Sequence, residues 1–200
     1  MPTLRAIFAV AAALVVLVAG GADRVMAQGA ATPPGQENAR PDTLQPGDAF
    51  GEEVTLPERT IVYFSGAGKW DNAFETIVDA LKTVNGYLQK QGIKPAGLPM
   101  TIYTSTDDTS FQFQAAVPVS EAPSNAPTGD LAVGKTTGGR AFKFVHRGSY
   151  EDMDTTYDAI TNFLDEKQLD AQGSFIEQYV TYPATTPQDK LVVEVYVPVK

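Results

Sequence analysis

The sequence of 200 residues contains no cysteine and a single histidine, His146. Without cysteine there can be no disulfides, thiolate metal sites or cysteine nucleophiles, and one histidine excludes a site built from several imidazoles. Cations are also scarce: 15 lysines and arginines stand against 24 aspartates and glutamates. Because nucleic-acid binding needs clustered cations, we expect no nucleic-acid partner. We also predict no metal and no cofactor.

Residues 1–27 have the pattern of a secretory signal. Arg5 is a positive charge ahead of the apolar run 6–19, and small residues end the segment before Gln28. The run is shorter than the roughly 20 residues of a membrane-spanning helix. We therefore expect a cleaved signal peptide, a periplasmic or secreted protein and no stable membrane insertion after cleavage. The alternative is an uncleaved membrane anchor.

Residues 28–53 are rich in proline and glycine and poor in large apolar side chains. Such a composition cannot form a core and is typical of a disordered linker. The folded domain is therefore predicted to cover residues 54–200.

An internal repeat dominates this domain. Residues 64–70 align with residues 144–150, and residues 116–119 with residues 196–199, both at an offset of 80. Self-similarity at a fixed offset indicates a duplicated structural unit.

The two copies cover about residues 54–119 and 131–200, and each reads strand, helix, strand, strand. Gly92 is predicted to end the first helix. A duplicated βαββ unit predicts an α+β domain with pseudo-twofold symmetry, in which an antiparallel sheet carries two helices on one face. A central groove on the axis between the copies is a natural ligand site, since pockets form where packed units meet.

Two acidic residues occur only in the second copy. Glu177 aligns with Thr101 once a gap of a few residues is allowed, and Glu194 aligns with Gln114 at the offset of 80. Because side chains alternate along a strand, Glu177 shares a face with Tyr179.

By the same alternation, Glu194 shares a face with Tyr196. We interpret the two carboxylates as acids that line an aromatic pocket. A buried carboxylate there would have a raised pKa and would suit either a cationic ligand or acid–base chemistry. The alternative is that both faces are solvated and the acids are ordinary surface residues.

Residues 144–150 before a helix, the strand Glu177-Gln178-Tyr179 and the terminal residues 194–199 resemble the GyrI-like small-molecule-binding family. This family shares its module with the effector-binding domain of multidrug-responsive bacterial transcription activators. The resemblance covers about residues 54–200. It implies a strand glutamate that meets amphipathic, often cationic aromatic ligands, and Glu177 matches that glutamate. The candidate ligand-binding residues are Glu177, Glu194, Tyr150, Tyr196, Tyr179 and Trp70.

The sequence thus predicts an exported, stand-alone small-molecule-binding domain for amphipathic or cationic aromatic ligands. Three alternatives stay open. Some family members resemble hydrolases of reactive electrophiles, for which Glu177 and Trp70 are the candidates. His146 at a strand end is either a structural residue or an axial haem ligand. The third alternative is a partner-binding module without a small ligand.

Overall fold

The computed structural model describes residues 44–200. The predicted signal peptide and most of the predicted linker lie outside the described residues. One antiparallel sheet of eight strands carries two helices, which confirms the predicted α+β class. The elements are β1 (Phe50–Leu56), β2 (Thr60–Lys69), α1 (Ala73–Gln91), β3 (Met100–Thr106), β4 (Ser110–Pro118), β5 (Leu131–Lys135), β6 (Gly139–Arg147), α2 (Met153–Lys167), β7 (Ile176–Tyr179) and β8 (Val192–Pro198). Among residues 44–200, no helix combines the length and the apolar character that crossing a membrane requires.

The strand order β1-β6-β8-β7-β3-β4-β2-β5 places the two copies side by side, joined where β3 pairs with β7. Strand register reproduces the repeat seen in the sequence. Phe64 lies opposite Ala115 in the first copy, and Phe144 lies opposite Val195 in the second. Phe144 follows Phe64 by 80 residues and Val195 follows Ala115 by 80 residues, as the sequence alignment predicts.

Each unit contains one strand more than the sequence predicts, and the two extra strands are exchanged between the copies. β1 comes at the start of the first copy and pairs with β6 of the second, whereas β5 comes at the start of the second copy and pairs with β2 of the first. Both are outermost strands of mixed exposure, so their sequences lack a clear apolar alternation. The repeated unit is therefore ββαββ.

β1 begins at Phe50, inside the stretch that the sequence assigned to the linker. Residues before it are also attached to the domain. Asp48 accepts two hydrogen bonds from the Arg147 guanidinium, at 2.6 and 2.8 Å, and the Ala49 carbonyl accepts one from the Val145 amide. Arg147 lowers the pKa of Asp48 by this hydrogen bonding. The folded unit thus starts earlier than the predicted boundary at residue 54.

Both helices pack on one face of the sheet, called here the inner face; the opposite face is the outer face. α1 buries an apolar stripe that includes Ile77, Leu81 and Leu88, and it ends at Gly92 in the left-handed conformation (φ 69°) as expected. The main core lies between the helices and the inner face. A smaller cluster lies on the outer face and consists of Ile61, Met100, Ala116 and Ile176.

Candidate ligand-binding site

The two copies meet along the β3–β7 ladder, in which Thr101 and Glu177 form the central one of three pairs. Thr101 in β3 lies directly opposite Glu177 in β7, and these positions are equivalent in the repeat. The pseudo-twofold axis therefore passes between them. Both side chains are fully buried, at 0% exposure.

Glu177 is surrounded by tyrosine hydroxyl groups. Two of these belong to the strands of the seam, and two reach down from the start of α2 and the turn before it. The contacts to the carboxyl oxygens are Tyr103 (3.1 Å to Oε1), Tyr157 (2.8 Å to Oε1), Tyr150 (2.9 Å to Oε2) and Tyr179 (2.8 Å to Oε2). Every carboxyl oxygen thus has two phenol neighbours, and burial is matched by hydrogen bonding as buried polar groups require.

The hydroxyls also contact one another. Tyr103 Oη lies 2.8 Å from Tyr150 Oη, so these two phenols and Glu177 form a closed ring of three contacts. Each phenol carries one proton, so the two phenols supply two protons, whereas three hydrogen bonds need three protons. The third proton is supplied if the Glu177 carboxyl is protonated and donates to Tyr103.

Burial and hydrogen bonding act on the pKa of Glu177 in opposite directions. Burial raises the pKa of Glu177, and the tyrosine hydrogen bonds offset only part of that effect. Burial and the nearby carboxylate raise the pKa of all four tyrosines well above 10, so the phenols keep their protons. Within residues 44–200, no lysine or arginine pairs with Glu177. The site is therefore a buried acid whose side-chain hydrogen-bond partners, among the described residues, are tyrosine hydroxyls.

Partly exposed aromatic rings lie between this acid and solvent. Tyr150 is half-buried and packs on Phe74 at a centroid distance of 5.2 Å. Trp70, the equivalent of Tyr150 in the first copy, lies 6.0 Å from the Tyr103 ring. Its indole N–H donates to the Asp107 carbonyl at 2.8 Å, which fixes the ring to the β3–β4 turn. Of these two predicted ligand-binding residues, Tyr150 thus contacts Glu177 directly and Trp70 lies next to Tyr103.

Glu194 and Tyr196 lie elsewhere. In the β7–β8 ladder Gln178 is opposite Glu194 and Glu177 is opposite Val195, so the two acids point to opposite faces of the sheet. On the outer face Glu194 accepts hydrogen bonds from Tyr196 (2.7 Å), Gln178 (3.1 Å) and Lys143 (3.3 Å). The single pocket expected for both acids is therefore wrong: Glu177, Tyr179, Tyr150 and Trp70 come together, and Glu194 and Tyr196 do not join them.

His146 is a buried residue of the inner face. Its Nδ1 contacts Thr156 Oγ1 at 2.8 Å and its Nε2 contacts the Ser149 carbonyl at 3.1 Å. Burial lowers its pKa. With both ring nitrogens engaged, the structural interpretation holds and an axial haem ligand has no support from this geometry.

Two residues of the site, Tyr103 and Tyr157, were not among the predicted ones. Signals for both were present in the sequence. Tyr103 is the repeat equivalent of Tyr179, and Tyr157 follows Tyr150 at a spacing of two helical turns, on the same apolar stripe of α2. Their hydroxyls reach Glu177 only through the packing of α2 on the seam, which the pattern does not specify.

Comparison with known proteins identifies the family of this domain. The chain resembles EcmrR in its complex with DNA (TM-score 0.66, 13% identity), covering 76% of this chain but 57% of EcmrR. It resembles a hydrolase from Listeria innocua with a TM-score of 0.57 and 12% identity, covering 76% of this chain and 93% of the hydrolase. It also resembles SAV2435 bound to tetraphenylphosphonium, with a TM-score of 0.54 and 14% identity, covering 76% of this chain and 94% of SAV2435. A search of curated proteins found no significant match. The model of the GyrI-like small molecule binding domain matches residues 52–200, and the chain belongs to that family.

Proposed function

We propose that this domain is an exported receptor for lipophilic organic cations, with Glu177 as the charge partner. The observation that carries the proposal is a buried carboxyl group that lacks a cationic partner among the described residues. Glu194 provides the contrast within the same chain, since Lys143 neutralises it. Ionising a buried carboxyl group without a counter-ion is costly, and a cationic ligand would offset that cost.

The rim supplies the second requirement, a surface for the apolar body of the ligand. Trp70, Phe74 and Tyr150 present partly exposed rings beside the acid. A cation over such rings gains roughly 0.5–2 kcal/mol for each contact. Tyr150 also covers Glu177 Oε2, so its rotation toward solvent would open the acid to the ligand.

A related fold supports this choice of ligand. SAV2435, of the same fold, is seen with tetraphenylphosphonium, a large aromatic cation. Family membership supports small-molecule binding in general, and the charge and aromatic character of the Glu177 cluster narrow it to cations.

Titration with tetraphenylphosphonium tests the proposal. Trp70 is the single tryptophan, so quenching of its fluorescence should report binding, and calorimetry should give the affinity. Glu177→Gln should weaken binding at least about tenfold, because a buried charge partner is lost. Glu194→Gln, on the outer face, is the matched control and should leave the affinity within about twofold.

Neutral triphenylphosphine oxide separates charge from shape. We expect it to bind much more weakly than the cation and to be indifferent to Glu177→Gln. Equal binding of both compounds would refute a charge-selective receptor. Binding of neither would instead favour a domain that recognises a partner protein.

A hydrolase is the second candidate, favoured by the raised pKa of Glu177 and by the shared fold of the Listeria innocua hydrolase. A protonated carboxyl beside phenols can act as a general acid. Turnover of an epoxide such as styrene oxide, lost in Glu177→Gln and kept in Glu194→Gln, would establish this activity. Binding without turnover would favour the receptor.

The export part of the proposal is supported by residues 1–27, with a charge at Arg5 and the apolar run 6–19. Mass spectrometry of the protein from the periplasm or medium of a bacterial host should give a chain that starts at Gln28. A chain that keeps Met1 and stays with the cytosol would contradict export.

A further inference from the structure

The outer face carries a cavity that is separate from the Glu177 cluster. It has a volume of about 190 Å³ and lies beside the seam of the two copies. Its floor and walls include Leu56, Met100, Ile176 and Tyr196, and two cationic side chains, Arg59 and Lys143, line it as well. The sheet itself separates this cavity from the inner face.

The two cations differ in their partners. Lys143 lies 3.3 Å from Glu194 and 3.7 Å from Glu52. Within residues 44–200, no carboxylate forms an ion pair with Arg59, and the residue is exposed. Neither Glu194 nor Glu52 is part of the cavity wall. Among the described residues that line the cavity, Arg59 is therefore a cation without a carboxylate partner, whereas the charge of Lys143 is offset by Glu194 and Glu52.

The backbone of Arg59 is held by hydrogen bonds, and its side chain runs to Gly97. Its backbone exchanges hydrogen bonds with Thr136, another wall residue: the Arg59 amide donates to Thr136 Oγ1 at 2.9 Å, and the Thr136 amide donates to the Arg59 carbonyl at 2.9 Å. Its guanidinium lies against Gly97, where a Cβ atom would come within 2.9 Å of the Arg59 nitrogen. The absence of a side chain at residue 97 leaves room for the cation beside the cavity.

Four polar side chains of this face, Lys143, Gln178, Glu194 and Tyr196, belong to the second copy, whereas Arg59 belongs to the first. In the first copy, the positions equivalent to those four hold uncharged residues. The equivalent positions are Lys143 and Tyr63, Gln178 and Ile102, Glu194 and Gln114, and Tyr196 and Ala116. Folding of the duplicated unit therefore does not require the polar set, because the first copy folds without it.

We infer that this outer cavity, lined by Arg59, Lys143 and an apolar floor, is a second binding site and takes a small organic carboxylate. The guanidinium matches a carboxylate with two parallel hydrogen bonds, and Met100 and Ile176 contact the apolar part. The cavity volume suits a single-ring ligand, since a cavity of about 150 Å³ accommodates benzene. Glu177, on the inner face, is the proposed partner of a ligand of the opposite charge, a cation.

Methyl NMR of the protein labelled at methionine tests this site with benzoate as the probe. Met100 lines the outer cavity and Met153 belongs to α2 on the inner face. Benzoate should shift the Met100 methyl signal in a saturable way and leave Met153 unchanged. Benzyl alcohol, which has nearly the same shape without the charge, should bind at least about tenfold more weakly.

Arg59→Gln should weaken benzoate binding about tenfold or more. Lys90→Gln, which removes an exposed cation at the end of α1, is the matched control and should have no effect. Glu177→Gln should also leave benzoate binding unchanged, so the outcome is independent of the cation receptor. A Met100 signal that does not move, that moves equally with benzyl alcohol or that moves equally in Arg59→Gln would overturn the inference.

Discussion

Thr101 and Glu177 lie opposite each other in the β3–β7 ladder, and they occupy equivalent positions in the two copies. The duplicated sheet thus has one acid on its axis instead of two. A second glutamate would place two buried carboxyls face to face, where like charges disfavour ionisation. Thr101 instead donates a hydrogen bond that Tyr179 can accept, at 2.9 Å, while Tyr179 donates to Glu177. The difference between the copies gives the site a single negative charge to offer.

Cation binding should release a proton. The ring of contacts among Tyr103, Tyr150 and Glu177 favours a protonated acid in the free protein, and burial raises the pKa of Glu177 above 4.5. A cation requires the ionised form. Its affinity should therefore rise with pH, by up to about tenfold per pH unit, until the pH passes the raised pKa.

Calorimetry of tetraphenylphosphonium binding in buffers of different ionisation enthalpy measures this proton directly. We expect up to one proton released per cation at a pH below the Glu177 pKa, and none in Glu177→Gln. An affinity that does not change with pH would show that Glu177 is already ionised in the free protein.

Tyr157 should stabilise the domain through Glu177. Tyr157→Phe keeps the ring, which packs on Phe175 at 5.6 Å, and removes the 2.8 Å hydrogen bond to Oε1. Because this leaves a buried acceptor short of a donor, the free energy of unfolding should fall by about 1–3 kcal/mol. Urea denaturation measures the change.

A double-mutant cycle with Glu177→Gln separates this hydrogen bond from general packing. The cost of Tyr157→Phe should be smaller in the Glu177→Gln background, since the two residues interact directly. Costs that simply add would mean that the hydroxyl and the acid do not act on each other.

Much of this architecture could be predicted from the sequence. Local residue patterns located both helices and six of the strands, the repeat showed the duplication, and comparison of the copies singled out Glu177. The position of Glu194 could not be obtained in this way. Alternation tells which residues of one strand share a face, but it does not tell which face turns toward the helices. That depends on the register that puts Gln178 opposite Glu194.

His146 should titrate below its ordinary range. Its ring is buried and engaged with Thr156 and Ser149, and desolvation lowers its pKa from 6.5. It is the only histidine in the chain, so a single imidazole NMR signal reports its protonation. The midpoint should lie lower in the folded protein than in urea.

The same shift has a consequence for stability. A base with a depressed pKa contributes stability above its unfolded pKa and loses it as the pH falls through the folded value. The stability difference between the protein and His146→Gln should therefore shrink from about pH 7 to about pH 5. A difference that grows over this interval would mean that the folded protein holds the charged ring.

Gly51 should be essential for the attachment of β1, the strand that lies before the predicted domain boundary. It has a positive φ of 78°, at an irregularity of the β1–β6 register, and a Cβ atom there would lie 2.3 Å from the Phe163 ring of α2. Gly47 also has a positive φ, 94°, but has open space around it. Both alanine variants bear backbone strain, and only Gly51→Ala adds a clash. Gly51→Ala should thus destabilise the domain by about 1–3 kcal/mol more than Gly47→Ala in thermal or urea unfolding. Equal effects would show that residues 50–53 do not pack on α2, and that the domain folds from residue 54 onward as its sequence alone suggested.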